Sequence, residues 1–193
     1  ATDARWNGIS ITGEMSADLQ DFQIENAEIG LAIENGAADI RNVSIDNSLE
    51  NAIFTKNAAI SIENARLTNS KGVGLRISSG TDIDVLQASF EKNRIGVVAE
   101  GNADIALRET SLKDNEIGVL DLGAKLNMVK RKKKKNKIGF VSENIPTDDI
   151  KNSVTQNQEN FSSDAENLKN TLANAPENPN AQQFSYSIYS GFD

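Results

Sequence analysis

The feature that most constrains this chain is an internal repeat of about 22 residues. A small residue that precedes an aliphatic or aromatic residue recurs in register seven times, at Gly8, Gly30, Ala52, Gly74, Gly96, Gly118 and Gly139. A unit of this length is too small to bury a core alone, so it must stack on its copies. The chain is therefore predicted to form a solenoid over most of its length.

Each repeat contains three short runs in which apolar and polar residues alternate, and turn residues separate the runs. Alternation with period two indicates strands. The first run has its apolar positions at Ile9/Ile11, Leu31/Ile33, Ile53/Thr55, Leu75/Ile77 and Val97/Ala99; the second at Leu19, Ile40, Ile62, Val85 and Leu107; the third at Phe22/Ile24, Val43/Ile45, Ala65/Leu67, Ala88/Phe90 and Thr110/Leu112. Stacked repeats would pair each strand in parallel with its copies, about 4.8 Å apart, around a triangular coil.

An asparagine follows the third run in six repeats. Stacked asparagine amides can hydrogen-bond from coil to coil, and asparagine tolerates the left-handed conformation that tight turns need. The sequence thus predicts an asparagine ladder made of Asn26, Asn47, Asn69, Asn93, Asn115 and Asn136.

With these features the chain resembles the right-handed β-helix repeats of the pectin-lyase-like superfamily, over roughly residues 6–145. The resemblance implies an all-β fold, a right-handed parallel β-helix of about six to seven coils with a C-terminal capping or flanking segment. We accordingly expect a β-helix at residues 1–145 and a polar segment at residues 146–193. That segment is predicted to contain a short helix at 163–172 and a terminal strand at 184–189.

The sixth repeat departs from the pattern. A run of basic residues falls where a core residue is expected: Lys130, Arg131, Lys132, Lys133, Lys134 and Lys135. An unpaired buried charge is costly, so this edge must open outward or the coil must be distorted. The run is either a solvated edge that stops further stacking or a binding site for a polyanion. Asp121 also falls in a core column, unless its strand is shifted so that Leu120 and Leu122 point inward.

The outward positions of the first run form an apolar strip. It comprises Ala32, Phe54, Val98, Leu120 and Val141. Contiguous apolar surface usually has a cover. The cover is either the chain's own C-terminal segment or a partner protein, which would make the strip partner-facing.

Composition limits the possible chemistry. The chain has no Cys and no His, which excludes thiol nucleophiles, imidazole acid–base catalysis and zinc sites built from these residues. A net charge of −8 disfavours nucleic acid as a partner. No apolar run is long enough to cross a membrane as a helix.

The superfamily resemblance implies polysaccharide-active enzymes whose carboxylates line an outer face. Asp82, Asp84 and Asp104 are predicted to lie near one another across two coils, with Asp39 two coils away. Such a pair of carboxylates could act on a glycosidic bond, but turns and strand starts favour Asp without any catalytic role. We therefore predict no catalytic residue, no metal site and no cofactor.

The function expected from these features is that of a non-enzymatic structural or protein-interaction module in a larger surface or secreted bacterial protein or assembly, located outside the cell or in its envelope. Only seven residues precede Gly8, and no N-terminal cap is visible. Either Trp6 closes that end or, as we favour, further coils or another domain lie upstream. The alternatives are a carbohydrate-binding or polysaccharide-active β-helix, and polyanion binding through Lys130–Lys135.

Overall fold

The computed structural model describes residues 5–129, 136–142, 157 and 159–162. In these residues the chain forms nineteen strands, β1 to β19 in chain order, which lie in three parallel sheets. Sheet 1 contains β1 (Ile9–Thr12), β4 (Leu31–Glu34), β7 (Asn51–Lys56), β10 (Val73–Ile77), β13 (Ile95–Glu100), β16 (Ile117–Leu122), β18 (Ile138–Ser142) and β19 (Glu159–Ser162). Sheet 2 contains β2 (Ser16–Gln20), β5 (Ala37–Arg41), β8 (Ala59–Glu63), β11 (Asp82–Leu86), β14 (Asp104–Arg108) and β17 (Lys125–Val129). Sheet 3 contains β3 (Gln23–Glu25), β6 (Ser44–Asp46), β9 (Arg66–Thr68), β12 (Ser89–Glu91) and β15 (Ser111–Lys113).

The strand registers follow the repeat. In sheet 1 Ile9 pairs with Leu31 and Leu31 with Ile53, which are the positions that the sequence aligns. The same holds for Val85 and Leu107 in sheet 2 and for Phe90 and Leu112 in sheet 3. The prediction of an all-β parallel β-helix with three strands in each complete coil is therefore confirmed.

The inward residues of the three sheets form one continuous core. Ile33, Ile40 and Ile45, one from each sheet of the second coil, are fully buried, as are their partners in the next coils. Alternate strand residues point inward, so each coil contributes a few apolar side chains that are buried only because its neighbours cover them.

The small residue that marks the repeat is required by close packing between coils. A Cβ on Gly96 would lie 2.6 Å from Gly118 O and 2.7 Å from Leu112 Cδ2. The same crowding is found at Gly118, where Gly139 O would be 2.5 Å away. The small residue is therefore needed because each strand of sheet 1 lies close to the coil that follows it.

Polar residues in the left-handed conformation form the corners of the coils. Asp21, Asn42, Asn64, Gln87 and Glu109, with φ between 52° and 55°, turn the chain from sheet 2 to sheet 3. Asn35 and Asn57, at φ 59° and 48°, stand at the corner after sheet 1. Asn and Asp adopt this conformation with less strain than most residues, which explains why asparagine is so frequent here.

Asp121 stays in the core column. It pairs with Ala99 on one side and Ser142 on the other, so the strand is not shifted. Its carboxylate is buried and accepts hydrogen bonds from Ala124 N at 3.0 Å and from Ser142 Oγ at 2.9 Å. These two donors satisfy a buried polar group that would be costly to leave without partners.

The parallel stack continues beyond residue 145. Strand β19 lies in the segment predicted to cap or flank the solenoid, and it pairs with β18 through Ile138 with Glu159 and Phe140 with Phe161. The predicted helix at 163–172, the predicted strand at 184–189 and the basic run lie outside the described residues. In the described part of the chain, no helix is long and apolar enough to cross a membrane.

Candidate functional site

The predicted asparagine ladder is in fact two neighbouring columns. Asn26, Asn47 and Asn69 are left-handed residues with φ of 56° to 57°, and Lys92 and Asp114 continue their column. Asn26 and Asn69 are exposed, and Asn47 is half-buried. Asn93, Asn115 and Asn136 are buried one position further along, in a column that contains Ser48 and Ser70 in the earlier coils and Asn157 after them. The step from Asn69 to Asn93 is 24 residues, longer than the repeat of about 22. This difference was the signal in the sequence that the predicted ladder combined two columns.

The buried column is a continuous hydrogen-bond ladder. Asn93 N donates to Asn115 Oδ1 at 2.9 Å and Asn115 N to Asn136 Oδ1 at 3.1 Å, while Asn136 N donates to Asn157 Oδ1 at 3.1 Å. The amide nitrogens of Asn93 and Asn115 donate to the carbonyls of Leu67 and Phe90, both at 3.0 Å. These bonds run without a break from the coil of Leu67 to that of Asn157, so the column is structural.

The apolar strip differs between its two halves. Val98, Leu120 and Val141 are fully buried in a second apolar cluster that also contains Val73, Ile95 and Ile117, whereas Ala32 and Phe54 are only half-buried. The buried half offers no surface to a partner. The partner-facing role stays a prediction, and it is restricted to Ala32 and Phe54.

Arg76 separates the two halves of the strip. It pairs in register with Phe54 and Val98, and its Nη2 donates to Glu100 Oε1 at 2.8 Å.

Glu50 lies on the same side of the solenoid. Burial raises the pKa of Glu50 above its ordinary value of 4.5, and repulsion by Glu28 raises it further, while Arg76 acts in the opposite direction.

The carboxylates considered for catalysis lie on the outer face of sheet 2. Asp82 and Asp104 are register partners on β11 and β14. Asp84 accepts a hydrogen bond from Arg108 Nε at 2.9 Å and pairs with Arg108, and Asp104 pairs with Lys125. The hydrogen bond from Lys125 to Asp104, followed by the attraction between their charges, raises the pKa of that lysine. Two of the three carboxylates therefore serve ion pairs between coils.

The N-terminal end of the solenoid exposes residues that are core residues in later coils. Among the described residues, β1, β2 and β3 are each the last strand of their sheet on this side. Ile9 is 37 % exposed, whereas its register partner Leu31 is completely buried. Trp6 and Met15 are 44 % and 54 % exposed. Trp6 therefore does not close this end, although its Nε1 donates to Glu25 O at 2.9 Å.

A shallow groove runs along the outer face of sheet 3, beside the corner with sheet 2. It has a volume of about 420 Å³, and its wall is formed by Asn64, Gln87, Ala88, Ser89, Glu91, Glu109 and Ser111. The groove is of the size that small ligands occupy, and six of its seven wall residues are polar. This site has no signal in the sequence, because its residues are spread over three repeats and no single repeat carries a motif.

Within the described ranges, no group of three or more acidic side chains is placed to hold a metal ion. The predicted polyanion site at Lys130–Lys135 is not among the described residues and stays a prediction. The groove, the N-terminal end and the half-exposed strip are thus the candidate sites on the described surface.

The fold and its columns agree with the comparison to known families. A family model described as a right handed beta helix region matches residues 4–162, which is most of the chain. The protein belongs to this right-handed β-helix family, consistent with its resemblance to the pectin-lyase-like superfamily. No curated protein and no solved structure matches the chain.

Proposed function

We propose that this protein is a non-enzymatic structural or protein-interaction module of a larger bacterial protein or assembly, outside the cell or in its envelope, and that its N-terminal coil joins it to the rest. The observation that supports this function is the N-terminal side of the described stack, where the last strand of each sheet has a described partner on one side only. Three sheet edges and the partly exposed Ile9, Ile11 and Phe22 lie together there. Unpaired edges beside apolar surface favour the addition of further strands.

Charge indicates what kind of partner fits this end. Residues 5–29 contain five acidic side chains and one basic one: Glu14, Asp18, Asp21, Glu25 and Glu28 against Arg5. Two copies of this end would bring like charges together, so self-association is disfavoured. A coil with basic outward residues fits better. Arg41, which reaches from the second coil to Asp18 at 2.7 Å, already shows this arrangement.

The outer face of sheet 2 supports a structural role rather than catalysis. Glycosidases use two carboxylates, one of which must protonate the leaving group. Asp84 and Asp104 instead form ion pairs with Arg108 and Lys125, and each pair joins two neighbouring coils.

The joining role can be tested by adding one coil upstream. A copy of residues 51–72, which carries three basic side chains and one acidic one, would be placed directly before Asn7 so that the repeat stays in register. We expect amide exchange in β1, β2 and β3 to slow by about tenfold or more, because their edges become paired and Ile9 becomes buried. The control carries the same 22 residues in shuffled order.

Two outcomes would contradict the proposal. If the in-register coil protects β1 to β3 no better than the shuffled sequence, the N-terminal end does not accept a coil. If the protein releases new reducing ends from a panel of polysaccharides, and the loss of that activity in Asp84→Asn and Asp104→Asn traces it to sheet 2, the module is an enzyme.

Carbohydrate binding is a second candidate function, and the groove on sheet 3 is the observation that favours it. Amide, hydroxyl and carboxylate groups line the groove, and these are the groups that hydrogen-bond to sugar hydroxyls. Titration of the protein with oligosaccharides, followed by the amide resonances of Gln87, Ser89 and Ser111, tests it directly. An absence of any shift at these residues over a broad panel would eliminate this candidate.

A further inference from the structure

We infer that the groove on sheet 3 binds an oligosaccharide that carries free amino groups, oriented along the solenoid axis. This inference rests on carbohydrate binding, the second function proposed above, and names its ligand class. It depends on the charge of the wall, on the positions of the neighbouring cations and on the spacing of the wall residues.

The wall of the groove carries two carboxylates and no cation. Ser89 Oγ donates to Glu91 Oε1 at 2.7 Å, and Gln87 Nε2 donates to Glu109 Oε2 at 3.1 Å. Each carboxylate is thus oriented through one oxygen by a neighbour in the same wall. Among the described residues, none forms an ion pair with Glu109.

Two basic residues lie near the groove, but they compensate the negative charge of Glu91 and Glu109 only in part. Arg66 Nη2 lies 4.0 Å from Glu91 Oε2, at the limit of an ion pair, and its side chain is 65 % exposed. Lys113 is the register partner of Glu91 on the adjacent strand, but its ammonium group lies 3.6 Å from the carboxylate of Asp114. Neither residue belongs to the wall, so a bound ligand meets the carboxylates first.

The wall residues repeat along the axis. Ser89 and Ser111 are register partners on adjacent strands, and Gln87 and Glu109 occupy the same corner in successive coils. Adjacent parallel strands are about 4.8 Å apart, which is close to the length of one pyranose unit in an extended chain. Successive sugar units of a ligand along the axis would therefore meet Ser89 and then Ser111, and Gln87 and then Glu109 at the corner.

The charge of the wall determines which sugars fit. Polyuronates carry a carboxylate on each unit and would be repelled by Glu91 and Glu109. Amino sugars with free amino groups are cations at mildly acidic pH, and each ammonium group can donate to a carboxylate. The amine-bearing class is the one that the wall complements.

The test is a titration at low salt and about pH 5.5, where the free amino groups of the ligand are cations. The probes are a glucosamine tetramer, its fully N-acetylated form and an oligogalacturonate. We expect the glucosamine tetramer to bind about fivefold or more tightly than the N-acetylated form, and the oligogalacturonate not to bind, because surface ion pairs contribute modestly and only the first probe forms them.

Variants separate the groove from the general acidity of the protein. The double variant Glu91→Gln with Glu109→Gln should weaken glucosamine binding about five- to tenfold, and Arg66→Gln should strengthen it about two- to threefold, because each change alters the local charge. Glu14→Gln removes one charge from the exposed N-terminal coil and should leave binding unchanged.

The outcomes distinguish the inference from the function on which it rests. Binding at the groove that is equal for all three probes, or unaffected by the double variant, overturns the amino-sugar class and leaves carbohydrate binding in place. Binding of none of the probes, with no shift at Gln87, Ser89 or Ser111 for any other oligosaccharide, overturns both.

Discussion

At the scale of single residues, asparagine has two different roles in this protein. At the corners it supplies a left-handed backbone and an exposed side-chain bond, such as that from Asn64 Nδ2 to Asn42 Oδ1 at 2.9 Å. In the buried ladder it satisfies backbone groups that no strand can reach, as Asn115 does for Phe90 O and Asn93 N. The free energy at stake is larger in the second role, since a buried polar group without a partner costs more than an exposed bond contributes.

Substitution should separate these two roles. Asn115→Ala removes an amide that forms bonds of 3.0 Å to Phe90 O and to Asn136 Oδ1, and it leaves Asn93 N without its acceptor. We expect the free energy of unfolding to fall by about 2–4 kcal/mol. Asn42→Gly, which keeps the left-handed corner and removes an exposed side chain, should cost less than about 1 kcal/mol. Urea denaturation of both variants measures the difference. Equal losses of unfolding free energy would show that the buried ladder stabilises the protein no more than an exposed corner bond does.

Glu50 predicts a pH-dependent change in stability. Its pKa is raised in the folded protein, first by burial and then by Glu28, so folding favours the protonated carboxyl. The stability contributed by this preference is fully present below the ordinary pKa of 4.5 and is lost as the pH rises through the higher folded pKa. Glu50→Gln should therefore raise the melting temperature at pH 7, and the gain should shrink towards pH 4. Glu14→Gln is the matched control. A gain that is the same at both pH values would contradict the assigned cause.

Sequence reasoning at the residue scale succeeded where one position has one physical role. Ile40, Ile62 and Val85 were aligned correctly because an inward position of a stacked strand accepts only apolar residues. It failed for the asparagines because Asn69 and Asn93 satisfy different requirements at adjacent positions of the coil. The repeat length alone could not show which requirement each one meets.

At the scale of elements, the strands of sheet 1 pack more closely between coils than their sequence pattern indicates. Gly96→Ala should lower the free energy of unfolding by about 1–3 kcal/mol, because the new Cβ would meet Gly118 O and the Leu112 side chain at under 3 Å. Ala52→Gly, in the same column, should cost no more than about 1 kcal/mol, since it only increases backbone freedom. Chemical denaturation compares them, and a neutral Gly96→Ala would show that the coils can move apart.

The outward faces of the elements were harder to predict than the inward faces. The apolar strip was visible in the sequence, yet Phe54 is half-buried and Val98 is fully buried although both occupy one outward column. The 22-residue repeat shows which residues point outward, but not that Val98, Leu120 and Val141 pack into a second buried cluster. For the same reason the groove could not be found, since Asn64, Gln87 and Glu109 share only a corner.

At the scale of the whole molecule, the protein is a stack in which each coil is stabilised by its neighbours. Ile53, in the third coil, is completely buried between coils on both sides, whereas Ile9 in the first coil is 37 % exposed. In such a stack, stability is approximately the sum of the coils and of the interfaces between them, so the end coil has one interface fewer. The N-terminal coil should therefore open locally before the central coils do.

Amide hydrogen exchange tests this gradient. We expect protection to be lowest in β1, β2 and β3 and highest in β7 to β13, because an end coil can open without breaking the interfaces behind it. Ile53→Ala should lower the free energy of unfolding by about 2–4 kcal/mol and speed exchange throughout the neighbouring coils. Ile9→Ala should cost less than about 1.5 kcal/mol and affect only the first coil, because less apolar surface leaves water at that position. If the amides of β1 to β3 exchange as slowly as those of β7 to β13, the N-terminal coil is stabilised by something other than the coil behind it. The proposal that this end accepts a further coil would then lose its structural basis.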